Sequence, residues 1–172
     1  VLPPDPLPHG KVGPELPFKP DEVSRLAVAA AVDGGAPAVV WTKDGSELLV
    51  LAGKVRVQLG AGLVLVTVPV RCAEAGSVTI EVPFAVGDER RPAGLLAATE
   101  ERPRGPSIVV DLWGDALIAF AWKVLLGVAT QASAASGTDE SGAGLIPAAI
   151  TARPDGLSVQ TMARFGFDRT RR

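Results

Sequence analysis

The sequence predicts an α+β or mainly β domain: an antiparallel sheet or sandwich packed by two helices, with an extended N-terminal arm and a C-terminal tail. Three observations predict it. Runs of β-branched and alternating residues recur between Gly, Pro and Asp turn signals. Only two segments, near 20–33 and 114–130, carry a helical pattern. Prolines crowd the first nineteen positions and arginines the last nine. A length of 172 residues suffices for one core, and two full domains would be cramped. The expected organisation is therefore an arm over 1–19, one β-rich domain over 20–165 and an Arg-rich tail over 166–172.

In the arm, Pro3, Pro4, Pro6, Pro8, Pro14 and Pro17 forbid helix and central strand and favour polyproline II. At about 3.1 Å per residue the arm could reach roughly 60 Å. Two placements stay open: across a neighbouring subunit, or folded back on its own domain or disordered. The first helix opens at Pro20 or Asp21, is favoured by Glu22 at its positive end, and closes at Gly34-Gly35. Val23, Leu26, Ala27 and Ala30 form its apolar stripe. A meander follows. Strands over 38–43 and 47–52 flank Asp44-Gly45, a type I′ hairpin signal. Strands over 54–59 and 63–72 flank Gly60-Ala61-Gly62. Val55, Val57 and Leu59 alternate with Lys54, Arg56 and Gln58, the mark of a half-solvated strand. The run 63–68 is apolar on both faces, hence central or at an interface. Pro69 and Pro83 call for edges, bulges or strand ends, and 77–86 alternates again. Residues 107–112 read as a strand leading into the second, strongly apolar helix. A polar loop over 131–144 precedes a last hairpin, 145–152 and 157–165, around Pro154-Asp155-Gly156.

Composition limits the function classes. The hydrophobic fraction is 47% and the charged fraction 21%, with a mean hydropathy of +0.28. That is more apolar surface than one small core needs, and a subunit interface would absorb the excess. A net charge of -2 gives no basic field to recruit nucleic acid or anionic lipid. The single Cys72 permits no internal disulfide and no multi-cysteine metal site. No signal-peptide pattern opens the sequence. The segment 112–129 is the most apolar, but Lys123 and Asp115 lie in it. A charge at mid-membrane costs about 2.5–3.5 kcal/mol, so the segment reads as a buried or interface helix, with no membrane span.

The catalytic inventory is thin. His9 is the one histidine, and it stands among prolines where nothing rigid orients it. Ser-His and Cys-His dyads would both have to use it. One Cys and one His are too few for zinc, and Asp139, Glu140 and Ser141 lack the alternation of a calcium loop. Asp111 and Asp115 stand four apart and could pose as a carboxylate pair. Asp115 reads better as a stabiliser of the first helical turn. Gly60-Ala61-Gly62 and Gly142-Ala143-Gly144 lack the residues that make a phosphate cradle and read as turns. The basic clusters are Arg90-Arg91, Arg102, Arg104, and Arg164, Arg169, Arg171 and Arg172. Acidic neighbours, Asp168 in the tail among them, interrupt these clusters, and Phe165 and Phe167 accompany the tail, which reads first as a solvated end, next as a dock for acidic protein surfaces and least as a nucleic-acid binder. No catalytic, cofactor-binding or metal-ligating residue is assigned, and no cofactor is expected. The candidate assembly contacts are Pro3, Pro4, Leu7, Phe18, Trp113, Phe120, Trp122, Arg164, Phe165, Phe167, Arg169, Arg171 and Arg172.

In the last third, an apolar helix is followed by Gly142-Ala143-Gly144-Leu145-Ile146 and then by 150–161, with Asp155-Gly156-Leu157-Ser158 at its turn. This resembles structural proteins of tailed-phage virions, in which a small-residue helix and a Gly-Ala-Gly-Ile-type turn lead into an Asp-Gly-Leu-Ser hairpin. The resemblance covers about a third of the chain and departs from the pattern after Ser158. It implies a head, neck or tail component of a phage or a contractile injection system, and it implies no catalytic residues. The expected function is therefore that of a non-enzymatic structural subunit or connector, with copies of itself and other assembly subunits as partners. Its expected place is a virion or phage-like particle, otherwise the cytoplasm. A non-catalytic binding or regulatory subunit, using a groove between the apolar helix and the sheet, is the second reading. An enzyme working with carboxylates alone, among Asp111, Asp115 and Glu81, is the third.

Overall fold

The computed structural model describes residues 12–88, 102–135 and 145–163. Its elements run β1 (Val12–Phe18), α1 (Pro20–Val32), β2 (Val39–Lys43), β3 (Ser46–Val50), a 3-10 turn (Ala52–Lys54), β4 (Arg56–Gly60), β5 (Leu63–Cys72), β6 (Gly76–Ala85), α2 (Ser107–Ala135), β7 (Leu145–Arg153) and β8 (Gly156–Ala163). Every named strand pair is antiparallel. The fold is α+β, with two antiparallel sheets and two helices, as the sequence predicts.

The larger sheet is organised around β5. Val64, Leu65, Val66, Thr67 and Val68 are all buried, as an apolar run with no polar face requires. One edge of β5 pairs with β6 along its whole length. The other is divided: residues Leu63–Thr67 pair with β4, and Val70 and Arg71 pair with β3. Pro69 sits at the seam between those two partners. Its carbonyl accepts from Leu51 N–H at 2.9 Å, so the N–H that proline lacks would also have pointed into the break. Pro83 is accommodated differently. Glu81 exchanges backbone bonds with Arg104 across the outer edge of β6, and the alternation of the pleat turns the missing donor of Pro83 outward too.

The smaller sheet has the order β1-β8-β7. Residues 12–18 of the arm fold back on their own domain, one of the placements the prolines left open, and Pro14 and Pro17 stand in an edge strand as their chemistry demands. Val12 lies opposite Met162, so the two ends of the described chain lie side by side. The sheets are joined by backbone bonds. Gly87 N–H donates to the carbonyl of Ile150 and Gly87 C=O accepts from Ala152 N–H, while Gly62 N–H donates to the carbonyl of Ala152 at 3.0 Å. Gly62 holds a φ of +66°, so Gly60-Ala61-Gly62 is a turn that also fastens one sheet to the other.

The turn between β2 and β3 has φ of +50° at Asp44 and +78° at Gly45, the type I′ geometry expected of Asp-Gly. Helix α1 carries Pro20 in its first turn with Asp21 and Glu22. It ends at Val32, ahead of Gly34-Gly35 as expected, where Asp33 turns left-handed and its N–H donates to the carbonyl of Ala29. Its buried face is Val23, Ala27, Ala30 and Ala31, with Leu26 packed alongside.

The main correction concerns α2. Residues 107–112 are the first turns of one continuous helix and form no strand, and the helix runs on to Ala135, about 43 Å in all. The Ser-Ile-Val-Val stretch has β propensity, but Val109 and Val110 are buried in the core, and this burial outweighs a local preference worth tenths of a kcal/mol per residue. The carbonyl of Pro106 opens the helix by accepting from Val109 and Val110. Asp115 consequently lies in the third turn, where it is no first-turn stabiliser. No described helix is long and apolar enough to cross a membrane.

One core runs through the molecule, with contributions from α1, β3, β4, β5, β6, α2, β7 and β8. At the crossing of the helices, a Cβ added to Gly127 would lie 2.6 Å from the Cβ of Ala30. Neither group can swing aside, so Gly127→Ala must push the helices apart. The expected loss is about 1–3 kcal/mol, as for other overpacked sites, read as a lower urea midpoint with unchanged slope.

Candidate interaction surface

The aromatic residues singled out in the sequence are turned largely inward. Trp113 is 4% exposed and lies 6.3 Å, centroid to centroid, from Trp41 of β2. Phe120 meets Trp41 edge-on at 5.6 Å, and Trp122 stacks at a tilt on Phe84 at 6.0 Å. Phe18 is half-buried at the end of β1, opposite Leu157. Trp113 is thus a core residue, and Phe120, Trp122 and Phe18 serve the chain's own packing. Pro3, Pro4, Leu7, Arg164, Phe165, Phe167, Arg169, Arg171 and Arg172 lie outside the described residues, as do His9, Asp139, Glu140 and Arg90-Arg91.

The carboxylates are dispersed. Asp111 and Asp115 lie on the solvent side of α2, with Asp111 paired to Arg102 at 3.2 Å between two exposed side chains. Glu81 belongs to β6, half-buried beside Arg104. Among the described residues, no group of three or more His, Cys, Asp or Glu side chains converges where a metal ion could sit. Cys72 is buried. The groove between the apolar helix and the sheet, which a binding module would use, is filled: Leu117, Val124, Val66 and Phe84 are each 0% exposed.

Of the sheet edges among the described residues, that of β2 carries exposed valines. Among the described residues β2 pairs with β3 alone. Its Val39 and Val40 are 43% and 53% exposed. The register Lys43↔Ser46 closes the two-residue turn, so Lys43, Trp41 and Val39 exchange their backbone bonds with β3, and alternation leaves the N–H and C=O of Val40 and Thr42 pointing away from the sheet. Trp41 pairs with Leu48 and Val39 with Val50 on the face turned to α2. On the opposite face Val40, Leu49, Arg71 and Ser77 form one lateral row across four strands, in which Arg71 Nε donates to Ser77 Oγ at 3.0 Å. An open cleft of about 470 Å³ lies over the near end of this row, floored by Val40 and Leu49 and rimmed by Glu47, Arg71 and Glu74.

The helix behind the edge is exposed beside it. Ala116 stands three residues from Trp113 and four from Phe120, on the face of α2 that meets Trp41. Yet Ala116 is exposed, as are Ala119 and Ile108, with Ile108 at 54%. Lys43 Nζ reaches over to the carbonyl of Leu112 at 3.2 Å. The sequence marked this hairpin but did not single it out as a surface. The signal was there: Val39-Val40-Trp41 is apolar without alternation, in a strand that chain order places at the rim.

Comparison of the chain with protein-family models, with curated proteins and with solved structures gives no match.

Because the Arg102–Asp111 pair is exposed and screened, Arg102→Ala and Asp111→Asn should each change folding stability by less than about 1 kcal/mol, measured by urea unfolding. A larger loss would mark that surface as more than a solvated helix face.

Proposed function

We propose that the protein is a non-catalytic structural subunit or connector of a large assembly, a component of a tailed-phage virion or of a phage-like particle such as a contractile injection system. The observation that carries the reading is the edge of β2, whose outward backbone groups have no strand partner among the described residues and whose valines are exposed beside an apolar helix flank. A sheet edge of this kind is a template for adding a strand from another chain, and natural proteins that remain monomeric blunt it. Three further features support it. Histidine and cysteine, the side chains most used for proton transfer at neutral pH and for zinc, occur once each in the chain. The apolar fraction exceeds what a domain of this size needs to bury. The last third resembles virion structural proteins, and the hairpin carrying that resemblance is the one that packs β1.

Partners on this reading are copies of the chain and other subunits of the same particle. Fractionation of the native source by size should place the chain in particles of megadalton mass, and electron microscopy of those fractions should resolve it in repeated copies. Recovery solely as a free small species would sink the reading.

A further inference from the structure

We infer that β2 is the site of self-association, pairing antiparallel with the same strand of a second copy about a twofold axis through Trp41. The inference rests on the reading of the chain as an assembly subunit and names the partner of that surface. In this register Val39 faces Lys43 of the other copy, Val40 faces Thr42, and Trp41 faces itself. The whole of β2 overlaps. The outward N–H and C=O groups of Val40 and Thr42 meet one another on both sides of the axis, so the arrangement is isologous and closed. The paired tryptophans fall at a non-hydrogen-bonded position, where strands approach most closely and aromatic pairs stabilise best.

The helix flank argues for the same occupant. A twofold axis perpendicular to the sheet keeps both copies of α2 on one side of it and makes them antiparallel. Ala116 and Ala119 are small enough for such helices to draw near. Asp115 of one copy then runs toward the Lys123 end of the other, whose exposed ammonium also holds its own Asp33 at 3.3 Å. The chain's own termini fit the edge poorly. Pro3, Pro4, Pro6 and Pro8 cannot donate to a ladder, and Arg164, Arg169, Arg171 and Arg172 carry like charges.

The test uses the full purified chain in sedimentation velocity at micromolar concentrations, together with Val40→Pro and Thr42→Pro. Each substitution deletes an outward N–H and leaves the bonds between β2 and β3 in place. The wild type should sediment as a dimer. Each variant should associate at least about tenfold more weakly, since half of the reciprocal bonds are lost, with circular dichroism unchanged and the melting temperature unchanged at dilutions where both proteins are monomeric. Should a proline variant unfold, Val40→Lys keeps the backbone donor and blunts the edge by charge, with the same expected loss. Amide exchange at Val40 and Thr42 should be slow in the wild-type dimer and fast on dilution below the association range. A monomeric wild type, or a dimer indifferent to all three substitutions, overturns β2 pairing whatever the particle fractions contain. Absence of the chain from particles overturns the assembly role even if the dimer forms.

Discussion

The fold depends on one demand: helix α2 is apolar around most of its circumference and must be covered on several sides at once. A helix with a single apolar stripe needs one partner. This one receives β5 and β6 from the larger sheet, β7 and β8 from the smaller, and α1 at a crossing tight enough to require Gly127. The sheets are drawn together by that shared burial and then fastened by the backbone bonds of Gly62, Gly87 and Ala152. Around Ala116 and Ala119 a sector of α2 stays exposed among the described residues.

Local chemistry made much of this legible in the sequence. Asp44-Gly45 specified its turn because few residues tolerate two consecutive positive φ values. The limits of β5 were readable because glycine turns bracket an unbroken apolar run, and α1 because its stripe and its proline start agree. The segment 107–112 departs from its sequence pattern for a physical reason. Short β-branched runs are ambiguous between strand and helix, and the decision fell to packing in a core assembled from distant residues. The division into two sheets was equally hidden, since it rests on pairings between residues 12–18 and 157–162 at opposite ends of the chain.

The surface was less legible than the fold. Trp113, Phe120 and Trp122 on α2 read as contacts for a neighbour because the apolar content exceeds what one small core needs. They were absorbed by the β2–β3 hairpin and by Phe84. Sequence reports how much apolar material there is, and tertiary structure decides which part stays outside. Here the part outside is mostly aliphatic: Val39, Val40, Leu63, Ile108 and Ile146.

The side-by-side placement of Val12 and Met162 has a mechanical consequence. Tension applied between the two ends of the described chain would meet the β1–β8 ladder at its open end and break its bonds in succession, as a zipper parts. The larger sheet lies off that line of force. A chain held by both of these ends would therefore act as a soft tether attached to a stiff body.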